Sequence, residues 1–268
     1  MKNSVLRLGK DSIWKLIAAA VVLLLPLIFL GSDYLVLVCC FILIYIIAVS
    51  GLDIVFGYCG QISLGHAAFY AIGAYGSGLL HNNFHIPVIL TMILSSILAA
   101  AIGALLAWPA SKLVFHFLSL ATIAFGEIVY LLISHSPSGI TGNYNGMFSD
   151  SVNLFGLKIN TNTRFYYFAL VCTVLFLVAK TFLVNSRTGR AFIAIRENSH
   201  AANGMGINVR KYKVIAFATS AFYTAFAGAM YMHLVKYISP DTFMYSQSVL
   251  FLTMLLFGGT ASLMGPIV

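Results

Sequence analysis

The chain has 268 residues, 60% of them hydrophobic and 8% charged, with a formal net charge of +8 and a mean hydropathy of +0.96. Soluble domains carry about 25% charged residues, so this composition excludes one and points to an all-α polytopic membrane protein in a lipid bilayer. The basic residues flank apolar runs, where they report membrane orientation, and nucleic-acid binding is excluded.

About 20 apolar residues cross the hydrocarbon core. On that rule eight spans are expected, near residues 13–30, 34–56, 62–79, 87–108, 117–134, 165–184, 213–235 and 245–264. Lys2, Arg7, Lys10 and Lys15 precede the first, as in a signal peptide. Phe29-Leu30-Gly31-Ser32 is a poor cleavage site, however, so an uncleaved span is expected. Asp53 falls near the end of the second span, where it is expected to cap a break around Gly57 or to reach interfacial water.

Residues 51–80 read GLDIVFGYCGQISLGHAAFYAIGAYGSGLL. Gly51, Gly57, Gly60, Gly65, Gly73, Gly76 and Gly78 allow close helix approach or a break within the membrane, and buried polar groups line a bundle interior or a wet path. The third span is therefore expected to be broken or re-entrant. Gln61 and Ser63 suit the carboxylate of a zwitterion at a broken-helix end. His66 has no second histidine or carboxylate at metal-ligand spacing, so it reads as a packed, hydrogen-bonded histidine, and no metal site is expected.

In the fifth span Ser119, Thr122, Gly126, Glu127, Tyr130 and Ser134 share one helical face. A carboxylate at the centre of a membrane helix costs roughly 2.5–3.5 kcal/mol on insertion scales, so Glu127 is expected to face protein or water. Two readings stay open: a path-lining carboxylate for a substrate ammonium, or a hydrogen bond between helices with His66 as partner. The following segment, residues 134–164, holds HSPSGITGNYNG and the alternating Val152-Asn153-Leu154 and Leu157-Lys158-Ile159, the pattern of a short hairpin. It reads as a lid, a docking surface or a solvated connector.

Residues 185–213 read NSRTGRAFIAIRENSHAANGMGINVRKYK. Helical spacing puts Phe192, Ile195 and Ala202 on one face and Arg190 and Glu197 on the other, before Gly204 and Gly206 end the run. The apolar face is expected on the bilayer surface or in a groove of a partner. In the seventh span Ala221, Ala225 and Ala229 form one small-residue row and Ser220, Thr224 and Gly228 another, for contact with a further span or a second subunit. Cys39, Cys40, Cys59 and Cys172 lie in apolar stretches and read as small buried hydrophobes.

With the N-terminus cytoplasmic, Lys2, Arg7, Lys10, Lys15, Lys112, Lys180, Arg187, Arg190, Arg196, Arg210, Lys211 and Lys213 fall inside, and Lys158, Arg164 and Lys236 outside. Twelve against three supports that orientation and the span number. The chain holds no phosphate loop, so ATP would have to be bound by partners. No Ser-His-Asp, HExxH or CxxC constellation occurs, and an enzyme is not expected.

GYCGQISLGHAAFYAIGAY, SRTGRAFIAIRENSHAANGMGINVRKYK and GGTASLMGPIV together resemble the branched-chain amino acid permeases of ABC importers, of the LivM-like subunit type, from about Tyr34 to the last residue. The resemblance implies that residues 186–213 are a cytoplasmic coupling segment docking on ATPase subunits, with Gly189, Arg190, Ala194, Ile195, Arg196, Glu197, Asn198 and Gly206 as its matched positions. It implies that Gly57 to Tyr75 contributes to the translocation path, for which the residues themselves offer Gln61, Ser63, His66 and Glu127 as candidate lining groups. Two departures stand out. Asn143 follows Thr141-Gly142 where the family carries a second glycine, and the family continues into further membrane helix past Gly-Pro-Ile-Val, which would make this chain a fragment.

The resemblance therefore implies a single permease domain in the plasma membrane of a prokaryote. It would work with cytoplasmic ATP-binding subunits, a second permease subunit and an extracytoplasmic substrate-binding protein to import branched-chain or related amino acids, and relatives carry urea or amides. The competing reading is an ion-coupled secondary transporter using Asp53 and Glu127, and a third is a passive channel. Both leave the amphipathic segment without a purpose.

Overall fold

The computed structural model describes residues 32–110, 115–136, 139–149, 153–154, 157–158 and 161–267. The expected span at 13–30, the basic residues before it, Lys112, and Val152 and Ile159 of the hairpin lie outside the described residues. The protein is an all-α multi-pass membrane protein, with five described helices long and apolar enough to cross a bilayer.

Helix α1 (Asp33–Asp53) runs into a π-helical turn, Ile54–Tyr58. α2 (His66–Phe84) ends where His85 turns left-handed at φ 53°, and Pro87 precedes α3 (Val88–Ala110). α4 (Phe115–Ser134) and α5 (Asn162–Asn185) flank the long loop. Two short helices follow, α6 (Arg187–Glu197) and α7 (Ser199–Gly204), then α8 (Val209–Val235) and α9 (Tyr245–Gly258). The five candidate spans are α1 with its π turn, α3, α4, α5 and α8. α2 carries too many glycines and polar residues for a lipid-facing anchor. α9 stops after 14 residues rather than continuing to 264, because Gly258 packs onto the Gly265 carbonyl and Gly259 takes a φ of 97°.

α8 is the hub, packed on α1, α2 and α3. In lipid the hydrophobic effect does not hold helices together, so close backbone contact must do so. Both small-residue rows of α8 serve that purpose within this chain. Gly73 of α2 lies directly on the Ala225 carbonyl, and Gly228 lies on the Tyr70 carbonyl in return. At either glycine a Cβ would collide with backbone. A Cβ on Gly103 of α3 would sit 2.8 Å from Ala221 Cβ, and one on Gly51 of α1 would sit 2.7 Å from Tyr223 Cβ. The aromatic rings of Tyr70, Tyr231, Phe243 and Phe251 fill the neighbouring space, Tyr70 lying 5.4–5.7 Å from the other three.

The expected hairpin forms, with β2 (Asn153–Leu154) antiparallel to β3 (Leu157–Lys158). A second pairing, β1 (Met147–Phe148) with β4 (Tyr237–Ile238), ties the long loop to the end of α8. Asn143 occupies a left-handed turn at φ 52°, after Gly142 at φ 76°. Asparagine tolerates that region better than other non-glycine residues, so it can stand where a glycine is usual.

Candidate functional site

The break expected in the third span precedes α2 instead of dividing it. After the π turn, Cys59 N donates to Ile54 O at 3.2 Å and Gln61 N to Val55 O at 3.0 Å, and Gly60 turns left-handed at φ 67°. The chain then runs non-helically to Gly65. Its amides find partners on distant helices. Leu64 N donates to Thr122 Oγ1 of α4 at 3.0 Å, and Ala67 N donates to Ser248 Oγ of α9 at 2.8 Å. Gly65 packs on the Thr122 carbonyl, where a Cβ would not fit.

Gln61, Ser63 and His66 all lie buried in this segment. His66 bonds Ser220 Oγ of α8 through Nε2 at 2.7 Å. Gln61 Nε2 reaches only Cys59 Sγ, at 3.8 Å. Gln61 Oε1 and Ser63 Oγ are buried without a hydrogen-bond partner. A buried polar atom left unpaired costs about 1–3 kcal/mol, and this one glycine-flanked stretch holds two of them.

Glu127 does not join them. Gly126 faces the break, a Cβ there coming to 3.9 Å of Gly65 Cα, while Glu127 next to it is exposed. Of the two readings of Glu127, the one that pairs it with His66 is not met, since His66 Nε2 bonds Ser220 Oγ. Of the polar face on α4, Thr122 and Ser134 are buried, and the Tyr130 hydroxyl donates to Asp241 Oδ1 at 3.3 Å.

Asp53 neither caps the break nor meets water. It is fully buried in an ion pair with Lys180 Nζ of α5 at 2.7 Å. Its other oxygen accepts from Ala261 N at 2.8 Å, and Lys180 Nζ also donates to Ser262 O at 3.3 Å. Lys180 is thus an intramembrane partner for Asp53, not a loop charge.

The amphipathic segment is two helices, because Asn198 caps the second: its Oδ1 accepts from His200 N and Ala201 N, both at 3.0 Å. The single face expected for Phe192, Ile195 and Ala202 is split between these two helices, and all three side chains are buried in this chain instead of lying on a bilayer or in a partner's groove. Phe192 meets Tyr212 edge-on at 6.4 Å. Gly189 is buried and Ala194 half-buried, while Arg187, Arg190, Ile193, Glu197, Asn198 and Gly206 are exposed. Arg196 is exposed as well, while its Nη1 reaches back to donate to the Gly57 carbonyl at 2.6 Å. Among the described residues, no group of three or more His, Cys, Asp or Glu is placed to hold a metal ion.

The chain is 33% identical over 244 residues to the high-affinity branched-chain amino acid transport system permease protein LivM of Escherichia coli, covering 82% of this chain and 57% of that protein. It is 31% identical over 147 residues to a probable LivM of Methanocaldococcus jannaschii, covering 54% of this chain and 41% of that one. It is 28% identical over 181 residues to the fructose import permease protein FruG of Bifidobacterium longum, covering 64% and 52%. The chain thus spans about half the length of these relatives, from 41% to 57%. No solved structure matches it. These relatives are transport permeases, not enzymes. A model of the family described as branched-chain amino acid transport system, permease component, matches residues 34–268, and the chain belongs to that family.

Proposed function

We propose that the chain is the membrane permease of an ATP-driven importer of branched-chain or related amino acids, in the plasma membrane of a prokaryote. Its partners are cytoplasmic ATP-binding subunits, which hold the ATP, a second permease subunit and an extracytoplasmic binding protein. It crosses the bilayer eight times from a cytoplasmic N-terminus, as one domain, and residues 186–213 face the cytoplasm.

The observation that carries this reading is α6. A helix that buries its apolar face in its own chain and leaves Arg187, Arg190 and Glu197 exposed offers a rigid, charged surface for a partner. Gln61 and Ser63, with His66 behind them, form the polar part of the path, where unpaired atoms receive the carboxylate of a zwitterion. Glu127, exposed midway along α4, faces that path or the second permease subunit, since lipid would exact the insertion cost of a carboxylate. Transport proceeds by alternating access, with ATP-driven movement of the partners biasing the permease between its outward and inward states.

Asp53 is committed to Lys180, which leaves an ion-coupled carrier without one of its two coupling carboxylates. The test of the reading is double substitution of Arg190 and Glu197 by Ala. Membrane insertion should persist while co-purification with the ATP-binding subunits falls; unchanged co-purification refutes docking through α6.

A further inference from the structure

α6 is fastened at both ends. At its start Ser186 Oγ accepts from Thr188 N at 3.1 Å and from Gly189 N at 3.4 Å. Gly189 lies so close to the Val184 carbonyl that no Cβ fits, which locks α6 onto the end of α5. Near the other end Arg196 Nη1 donates to Gly57 O at 2.6 Å. That carbonyl belongs to the last turn of the π segment, where helix carbonyls lack partners along the chain and where the helix dipole favours a cation. Gly60 leaves room for the arginine stem, since a Cβ there would lie 2.9 Å from Arg196 Cγ. The buried Asp53–Lys180 pair joins the ends of α1 and α5 directly, so α1, α5 and α6 make a braced triangle.

Each of the three is thus pinned to the other two. The segment that continues from the α1 corner is Gly60–Gly65, which bears the unpaired Gln61 and Ser63. We propose that Arg196 is the positioning residue through which α6 drives this segment: force on the exposed face of α6 reaches the polar stretch through the Gly57 carbonyl. Arg196 touches no solute and acts through Gly57. The inference rests on the reading of α6 as the docking helix, and it assigns the receiver of the push to the broken segment rather than to the attached spans alone.

The test is made on the complete importer in proteoliposomes, with ATP hydrolysis and leucine uptake read from the same vesicles. If wild type shows no ATP-dependent uptake, the docking reading and this link fail together. With wild type active, Arg196→Ala should raise the ATP hydrolysed per leucine imported by about tenfold, the scale of one lost charge-assisted hydrogen bond. Arg196→Lys, which keeps a cationic donor, should fall between. Gly60→Ala, which displaces the arginine stem and also strains the left-handed turn at φ 67°, should show at least the same defect. An unchanged ratio, or hydrolysis and uptake falling in equal proportion, overturns the link while leaving docking intact. If Arg196→Ala does not assemble, Arg196→Lys decides the same ratio.

Discussion

Lys180 shows what a single buried charge does to its surroundings. Replacing it with Met strands the Asp53 carboxylate in the interior, which should cost about 3–5 kcal/mol. Adding Asp53→Asn should restore most of that loss, because no uncompensated charge remains. Thermal unfolding of the purified variants checks this, and a double variant as unstable as the single would contradict it. Ser63 makes the opposite case. Its hydroxyl is buried and unpaired, so Ser63→Ala should leave stability unchanged or slightly higher. If the hydroxyl meets substrate, the same variant should raise the KM for uptake several-fold, a combination that a purely structural serine would not give.

The elements themselves were largely legible in the sequence, and their partners were not. Seven of the expected spans fall on described helices, five of them long and apolar enough to cross a bilayer, and the pairing of 153–154 with 157–158 and the burial of Phe192, Ile195 and Ala202 are written in local periodicity. Which face meets which is a tertiary matter. The Lys180–Asp53 pair spans 127 positions and the Ala261–Asp53 bond 208, and no local pattern encodes such pairings. A signal for Lys180 did exist: a lone lysine inside LVAKTFLVN is an intramembrane charge and asks for a partner. The break around Gly57 is legible from its glycines, but its supports are not, since the hydroxyls that satisfy it, Thr122 and Ser248, lie on other helices.

At the same scale, the two faces of α6 should respond differently. Phe192→Ala removes a fully buried ring and should destabilise the whole chain by about 3 kcal/mol, read as a lowered melting temperature. The pair of changes at Arg190 and Glu197 should leave that temperature unchanged and weaken partner binding alone. The α2–α8 contact should be equally intolerant: Gly228→Ala sets a methyl against the Tyr70 carbonyl and should lower stability by about 1–3 kcal/mol.

The whole molecule joins two features that sequence places more than a hundred residues apart, a non-helical polar stretch among close-packed helices and an exposed charged helix bound to its edge through Arg196. That arrangement suits a permease worked from outside the membrane by another protein's ATP hydrolysis. Because a fructose import permease is also similar to the chain, uptake assays should offer a sugar alongside leucine, isoleucine and valine. The central claim is tested most directly by measuring uptake in sealed proteoliposomes, with the chain alone and then with its ATP-binding subunits, second permease and binding protein. Uptake of a branched-chain amino acid that requires the complete assembly and ATP is the predicted result. Uptake by the chain alone, with an ion gradient or with none, would contradict it.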